Sequence, residues 1–474
     1  MRFLLILCFT AGSLYSFSQD YSLDKKLGEE NSRLVESQIG LYQHDSLQRL
    51  INAVGQKLVS RLKSKPFEFH FYLADSEEAN AFALPGGYIY VTRGILPLIQ
   101  TEDELGGVIA HEIIHVMQRH SVKQMKKQAY VGILKVPGNL INAVTGTHLG
   151  SIINAPISLA TGSFIAKYSR GHEKEADDFG IQLAASAGYK TDALADALER
   201  LSKETKMVTG QSERRSYFSD HPYTPKRVSD VRSSAHLYRP VSSSSVTASN
   251  EEFLHTFNSL CFGPNPAQGV FIDSLFVHAD LNFSWIVPSK WQKANKPTIV
   301  AAFEEKGQAI IGLRVAGIDK RSKDFGLAMK DTLESKRGIK IESARDTSIN
   351  SLTAYIIRAS TQEKDQVALM EIIWVQMGQQ VYQLIAMSTP QFIDEVHKGL
   401  CSFRSATNGE RDKVQLYTLK VVSANQNETV DEISERTGNR LIPGLTRLYN
   451  DIGSEAKLKE GELVKIVTAH PYRP

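Results

Sequence analysis

An apolar helical segment is interrupted by polar side chains at Val-Ile-Ala-His-Glu-Ile-Ile-His, residues 108–115. Upstream, Thr101 and Glu104 have the spacing of a capping box, which predicts that a helix begins there. The segment is too apolar for a helix that lies on the protein surface. The fold must therefore bury two histidines and a glutamate and give them partners, because an unpartnered polar group in a protein interior is costly.

The spacing of these side chains suits a metal ion. His111 and His115 stand at i and i+4, so their imidazoles project from one helix face and can bind a single Zn²⁺. Glu112 lies about 100° further round the helix, where it can act as a general base on a water molecule. An exposed helix with two incidental histidines is the alternative, and the apolar neighbours argue against it. A catalytic zinc usually has three protein ligands, so a third must follow downstream.

A downstream segment, residues 169–180, offers that third ligand. Glu173 and Asp177 again stand at i and i+4, on one face of a predicted helix that ends near Gly188. Glu173 can complete the coordination, and Asp177 can accept the distal ring N–H of a ligand histidine. By itself the segment is typical of a solvated charged helix, but the two helices together indicate a metal site. Two imidazoles and one carboxylate favour zinc as the ion.

The first residues, 1–18, have the pattern of a secretory signal peptide. Arg2 precedes an apolar run, Phe3 to Phe9, and small residues stand at the −3 and −1 positions before Gln19. The run is too short to span a membrane, which takes about 20 residues. A buried N-terminal helix is the alternative. A cleaved signal predicts a mature chain secreted across the inner membrane into a bacterial periplasm, with outer-membrane association as a further option.

Composition excludes several classes of protein. The chain has 474 residues, 42% apolar and 23% charged, which is typical of a globular protein. At roughly 100–200 residues per domain, this length predicts two to four domains. A net charge of +3 is too small to indicate a nucleic-acid partner. Three cysteines exclude a disulfide scaffold, and the two outside the signal peptide, Cys261 and Cys401, are predicted either to pair or to stay free.

Periodicity predicts the remaining elements. Two helices are expected over Asp24–Leu62, and strands over Phe67–Leu73 and Tyr88–Thr92. A serine run after Pro240 indicates a linker. Strands are then predicted at Phe276–Val287, Thr298–Phe303, Ala309–Val315, Leu352–Arg358, Val367–Val375 and Gln380–Met387, with helices near Lys323–Ser335 and Pro390–Phe403.

These elements predict an α+β multidomain protein. Its expected divisions are a signal peptide at 1–18, a mainly helical domain with a small edge sheet at 19–240, a serine-rich linker at 241–250, an antiparallel α+β accessory domain at 251–410 and a small βααβ unit at 411–474.

Several motifs of the first domain occur together: Asn80-Ala81-Phe82-Ala83-Leu84-Pro85-Gly86-Gly87, Ile109 to Val116, Arg119-His120 and Ser169 to Asp177. Together they resemble the M48 family of zinc metallopeptidases, over roughly Leu27 to Tyr238. The resemblance implies a zincin-type domain that binds one Zn²⁺ per chain and hydrolyses peptide bonds. The implied roles are metal ligation by His111, His115 and Glu173, general base catalysis by Glu112, and a supporting carboxylate, Asp177, behind a ligand histidine.

The resemblance also implies where a substrate binds. Residues 80–92 would form the edge strand of the active site, to which a substrate backbone adds as a further strand. His221 matches a His-Pro element of such enzymes and could stabilise the developing oxyanion, act as a displaceable fourth ligand, or only shape the loop before Pro222. The expected substrate-binding residues are Asn80, Ala81, Phe82 and Ala83. Four other polar residues are interpreted as structural: His120 and His172 in packing or capping, and Arg170 and Arg227 in salt bridges.

Residues 136–166 contain no Lys, Arg, Asp or Glu, and glycines and prolines recur along them. These helix breakers argue against a membrane-spanning helix and predict two short amphipathic pieces. The hypothesis is a mobile lid over the cleft, or a surface that contacts a membrane or an outer-membrane partner. Buried helices that cover the core are the alternative.

The C-terminal parts resemble accessory modules. Residues 251–410 resemble an antiparallel domain found behind such peptidases, and residues 411–474 resemble a divergent LysM module. The Gly-Asp-Thr of LysM modules is Asn427-Glu428-Thr429 here, a departure that bears on glycan binding. Peptidoglycan contact through this unit is therefore a hypothesis.

The combined prediction is a zinc endopeptidase of the cell envelope that cleaves unfolded or misassembled envelope proteins. One alternative is a chaperone-like binding factor for envelope assembly, whose metal site His221 occludes. Another is a peptidoglycan-associated hydrolase that the C-terminal unit directs to the wall.

Overall fold

The computed structural model describes residues 20–131, 168–209, 217–222, 225–335, 338–363 and 366–474. The predicted signal peptide at 1–18 and the predicted lid at 136–166 lie outside these residues. Within the described ranges, no helix combines the length and the apolar character that a membrane crossing requires.

Helices surround a three-stranded sheet in the first unit. β3 (Tyr88–Thr92) lies in the middle, parallel to β1 (His70–Ala74) and antiparallel to β2 (Ala81–Leu84), so β2 is an edge strand. The prediction for β3 is confirmed, whereas β1 begins at His70 rather than at Phe67. The helices are α1 (Ser22–Gln38), α2 (Asp45–Val59), α3 (Glu102–Met117), α4 (His120–Val131), α5 (Arg170–Ser186), α6 (Ala193–Thr209), α7 (Tyr217–Asp220), α8 (Pro225–Ala235) and α9 (Asn250–His255).

The helix that carries His111 and His115, α3, is buried along most of its length. Thr101 caps its N-terminus, because the Thr101 hydroxyl accepts a hydrogen bond from the Glu104 backbone N–H at 3.2 Å. α5 packs directly against α3 at Gly180, where a Cβ would lie only 3.2 Å from the His111 backbone. This close contact brings the polar faces of the two helices together.

Antiparallel sheets build the second unit. Its strands are β4 (Val270–Ile272), β5 (Leu275–His278), β6 (Phe283–Ile286), β7 (Gln292–Lys296), β8 (Ile299–Phe303), β9 (Ala309–Ile318), β10 (Ile339–Ile349), β11 (Leu352–Glu363), β12 (Gln366–Met377), β13 (Gln380–Ser388) and β14 (Arg404–Ser405). One sheet has the order β10-β11-β12-β13-β9-β8-β7, and the other has the order β14-β6-β5-β4. α10 (Ser322–Glu334) packs on one face of the larger sheet and α11 (Ile393–Cys401) on the opposite face; α12 (Asn408–Arg411) follows β14.

The antiparallel α+β arrangement predicted for this unit is confirmed. The single strand predicted over Phe276–Val287 is wrong, because the chain reverses after β5 and Asn282 adopts a positive φ of 53° before β6. β7 and β10 were not predicted, since their polar, half-exposed sequences lack a clear apolar alternation. Cys261 and Cys401 are both free, so the disulfide alternative is wrong.

A strand–helix–helix–strand unit follows, as predicted. Its elements are β15 (Gln415–Ser423), α13 (Val430–Thr437), α14 (Pro443–Leu448) and β16 (Leu463–Pro471). The LysM assignment of this unit stays a prediction. Leu419, Val421 and Tyr449 pack into the same hydrophobic core as α3, so this unit is docked on the first one.

Charged residues, of which all but Asp451 are buried, join the C-terminal unit to α3. Arg200 donates to the Glu104 carboxylate at 2.9 and 3.2 Å and to Asp451 of the C-terminal unit at 3.0 Å. The Lys465 ammonium donates to two backbone carbonyls before α3, at 2.7 and 2.8 Å. We call these four charged residues the tail junction.

The predicted linker is also attached to α3. Its serines, residues 242–245, form neither helix nor strand. The residues that follow are held by Glu102, whose carboxylate accepts hydrogen bonds from the backbone N–H groups of Val246 and Thr247 at 2.7 and 2.8 Å. The segment is therefore anchored at the N-terminus of the metal-site helix.

Candidate metal centre

α3 and α5 bring the three predicted ligands to one point. His111 Nε2 lies 2.9 Å from His115 Nε2 and 3.6 Å from Glu173 Oε2, and His115 Nε2 lies 3.5 Å from Glu173 Oε1. All three side chains are buried. Zinc bonds to such atoms are about 2.0–2.2 Å long, so ligand atoms at these separations can share one ion.

His221 supplies a fourth donor atom. It follows α7, and its Nδ1 lies 3.3 Å from His111 Nε2 and 3.2 Å from Glu173 Oε1. The donor atoms of His111, His115, Glu173 and His221 all lie within 4.8 Å of one another. Tyr217 stacks on the His221 ring at 4.2 Å and holds it there. A role limited to shaping the loop does not account for this position.

Glu112 lies beside the donor atoms. Its carboxylate is fully buried, and neither oxygen has a hydrogen-bond partner among the described residues. Burial raises the pKa of this carboxyl to about 8, although the nearby His221 opposes the shift. A bound cation would lower that pKa. Glu112 Oε1 lies 3.6 Å from His221 Nε2. A buried carboxylate without a hydrogen bond next to crowded imidazoles fits a divalent cation, and the nitrogen-rich donor set fits zinc.

Asp177 lies behind His111, as predicted. Its Oδ1 is 3.0 Å from His111 Nδ1, an arrangement that directs His111 Nε2 to the donor cluster. Arg227 of α8 donates two hydrogen bonds of 2.8 Å to Asp177 and forms an ion pair of 2.6 Å with Glu173. Although burial raises the pKa of Asp177, the Arg227 charge and the His111 hydrogen bond lower it below its usual range. Arg227 thus forms the predicted salt bridges, but inside the site.

His120, which sequence reasoning assigned to packing, lies directly behind His115. Its Nδ1 is 3.0 Å from His115 Nδ1, and its Nε2 is 3.1 Å from Glu175 Oε2. Because His115 Nε2 faces the donor cluster, His115 Nδ1 carries the hydrogen and His120 accepts it, while His120 donates to Glu175. Burial lowers the pKa of His120 to about 4, which keeps the ring neutral and able to accept. The sequence signal that could have indicated this role is the Arg119-His120 motif, which follows α3.

His120 should therefore act as a positioning residue for His115. His120→Leu removes the acceptor, and we expect the affinity for Zn²⁺ to fall about 10–100-fold. His120→Gln can still accept from His115 and donate to Glu175, so it should retain more of the affinity. Competition against a chelating dye measures both values, with the exposed His470→Leu as control. Equal affinities for the leucine variant and the unaltered protein would contradict this role.

The predicted edge strand, residues 80–92, is only partly correct: β2 lies at the sheet edge, but the chain turns at Pro85–Gly87 and returns as β3 in the middle of the sheet. Residues 81–83 lie in β2 and Asn80 precedes it. The Phe82 ring stacks on Tyr90 at 5.0 Å inside the core. All four residues of β2 are buried, and the Ala83 carbonyl accepts a hydrogen bond from the Tyr168 hydroxyl at 3.3 Å. The Asn80 side chain donates to Asp220 at 3.2 Å, which ties β2 to the segment that carries His221.

One helix that carries two histidine donors at i and i+4 and a glutamate beside them, packed against a second helix that carries a glutamate donor, is typical of zincin metallopeptidases. The domain is of this class. Residues 45–235 match the model of Peptidase family M48, and the domain belongs to that family.

Proteins similar to this chain carry names consistent with that family. The beta-barrel assembly-enhancing protease of Yersinia pestis is 29% identical over 251 residues, which cover 52% of this chain and 49% of that protein. The mitochondrial metalloendopeptidase OMA1 of Saccharomyces cerevisiae is 28% identical, covering 36% of this chain and 48% of that protein. The metalloprotease LoiP of Escherichia coli is 25% identical, covering 45% and 82%. The chain thus spans about half the length of the first two.

Proposed function

We propose that this protein is a zinc-dependent endopeptidase. The observation that carries the proposal is the convergence of His111, His115 and Glu173 from two helices, with the buried carboxylate of Glu112 beside them. A zinc ion held by these three ligands would supply Lewis acidity toward the scissile carbonyl. Membership of Peptidase family M48 supports the same reaction.

The chain's own residues would carry the remaining steps. The β2 edge would pair with the backbone of an extended substrate and align its scissile bond with the donor cluster. Glu112 would accept the proton of the attacking water and pass it to the leaving amine. Asp177 and His120 would hold the ligand imidazoles correctly turned, and Arg227 would keep Glu173 ionised.

The proposed substrates are unfolded or misassembled envelope proteins. This proposal is supported by the similarity to a protein named for enhancing beta-barrel assembly and by the signal-like residues 1–18. The proposed location is the periplasm, with association with the outer membrane as a further option. Contact with peptidoglycan through the C-terminal unit is a further hypothesis.

Removal of the metal tests the reaction class. The zinc-loaded protein should cleave casein, a chelator should abolish cleavage, and Zn²⁺ added back in stoichiometric amount should restore it. Metal analysis before and after each step assigns the effect to the bound ion. Cleavage that persists in protein shown to be free of metal would contradict the proposal.

A second candidate is a resting form, or a binding factor, in which His221 closes the metal site. The position of His221 Nδ1 among the donor atoms favours it, because four protein ligands leave no place for a substrate. Substrate binding would then have to displace His221 from the site.

Removal of His221 distinguishes these roles. If the open form makes up about 10% of molecules, His221→Ala should raise the rate of casein cleavage about tenfold. The exposed His236→Ala serves as control and should leave the rate unchanged. A fall in rate with zinc retained would instead support oxyanion stabilisation by His221. If the unaltered protein is inert and His221→Ala is active, the occluded binding factor is favoured.

A further inference from the structure

The pairing of β2 with β3 decides which backbone groups of β2 lie at the free edge of the sheet. The Thr92 backbone N–H donates to the Asn80 carbonyl at 3.0 Å, so the backbone of Asn80 faces β3. In an antiparallel pair, residues that bond to the partner strand alternate with residues whose N–H and C=O point to the other side. Ala81 and Ala83 therefore direct their backbone groups to the free edge, where the backbone of a substrate would pair with them.

Two carbonyls along this edge already have partners. The Ala79 carbonyl accepts a hydrogen bond from the Tyr217 backbone N–H at 3.0 Å, and the Ala83 carbonyl accepts one from the Tyr168 hydroxyl at 3.3 Å. The first contact joins two backbone groups, whereas the second depends on one side chain. The Tyr168 hydroxyl thus occupies a carbonyl with which the backbone N–H of a substrate would pair.

Tyr168 lies between β2 and the metal centre. Its side chain is buried, and its ring stacks on the ring of His115 with 3.8 Å between the centroids. Its backbone N–H donates to the Asp220 carbonyl at 3.0 Å. These contacts hold the ring without using its hydroxyl. Replacement of Tyr168 by phenylalanine should therefore leave the ring in place and the affinity for Zn²⁺ unchanged.

The Tyr168 hydroxyl has two neighbours and one proton to donate. The Ala83 carbonyl is one neighbour, and Ser121 Oγ of α4, at 3.0 Å, is the other. A carbonyl only accepts, whereas a serine hydroxyl can donate or accept. The Tyr168 proton can therefore go to Ala83 while Ser121 donates to Tyr168. It can also go to Ser121, which leaves the Ala83 carbonyl to another donor.

We propose that Tyr168 is a positioning residue that pairs with the substrate edge in the free protein and releases it when a substrate binds. In the free protein, its hydroxyl satisfies the buried Ala83 carbonyl. An extended peptide then supplies a backbone N–H to that carbonyl, and the Tyr168 hydroxyl donates to Ser121 instead. The inference rests on the proposed function, because it concerns the edge to which a substrate is proposed to bind.

Two variants should shift substrate binding in opposite directions. Tyr168→Phe leaves the buried Ala83 carbonyl without this donor until a substrate supplies one, so the dissociation constant for casein should fall about fivefold. Ser121→Ala leaves the Tyr168 hydroxyl without its second neighbour when the substrate takes Ala83, so the dissociation constant should rise about fivefold. Tyr382→Phe, which removes the hydroxyl of a buried tyrosine in the second unit, is the control and should not change binding.

The fluorescence anisotropy of labelled casein measures these dissociation constants. Each substitution is added to the full-length, zinc-loaded Glu112→Gln variant, which should bind a substrate without cleaving it. Opposite shifts in a protein that never cleaves casein would contradict the proposed function but support the role of Tyr168. That role is overturned if both variants shift the dissociation constant in the same direction, if neither shifts it, or if casein does not bind.

Discussion

Glu112→Gln should lower the rate of casein cleavage about 10²–10⁴-fold, the usual contribution of a positioned general base. Glutamine has nearly the same shape, so the packing of α3 should survive, but its amide cannot take the proton of the attacking water. The neighbouring carboxylates cannot substitute, because Glu173 and Asp177 are both paired with Arg227. The measurement is the initial rate of the zinc-loaded variant relative to the unaltered protein.

Zinc content separates this effect from loss of the metal. Glu112 is not among the converging donor atoms, so Glu112→Gln should bind Zn²⁺ as the unaltered protein does. Glu30→Gln, the same substitution at an exposed position of α1, should leave both rate and metal content unchanged. A zinc-loaded Glu112→Gln that keeps more than a tenth of the rate would remove Glu112 from the proposed mechanism.

The parts of this site that sequence reasoning could predict are those set by local geometry. Helical spacing alone places His111 and His115 on one face of α3, and Glu173 and Asp177 on one face of α5. The apolar neighbours of the histidines indicated that their helix is buried, as it is. The contact between the two helices depends on Gly180, because a side chain there would collide with the His111 backbone. The sequence does not show which helix packs against this glycine.

The rest depends on contacts between distant parts of the chain. His120 supports His115 only because Glu175, from another helix, faces its far side. Arg227 was expected to form salt bridges, but its partners could not be chosen among the many acidic residues. The edge strands β7 and β10 were missed because they are half exposed to solvent and lack the alternating apolar residues by which strands are recognised. Long-range pairing, rather than local propensity, decides these features.

Arg200→Met should lower the free energy of unfolding by about 3–5 kcal/mol, the cost of leaving one member of a buried ion pair without its partner. In the tail junction, the side chains of Arg200 and Glu104 are only 4% and 6% exposed, and two hydrogen bonds of 2.9 and 3.2 Å join them. Arg200 also donates to the Leu98 carbonyl at 2.7 Å and to Asp451 of the C-terminal unit. The substitution therefore affects the start of α3 and the docking of that unit together. Urea denaturation measures the loss.

Two further variants identify the cause of that loss. Arg232→Met breaks an ion pair of similar length with Glu199, but both of its side chains are 41% exposed, so it should cost at most about 1 kcal/mol. Combining Arg200→Met with Glu104→Leu removes both charges of this buried pair, and much of the lost stability should return because the carboxylate that remains, Asp451, is 59% exposed. If Arg200→Met and Arg232→Met cost the same, the tail junction does not stabilise the fold as a buried pair. Recovery of stability in the double variant, the expected result, would show that the loss in Arg200→Met comes from the unpaired Glu104 charge. The stability of α3, which carries Glu104, would then depend on its contact with the C-terminal unit.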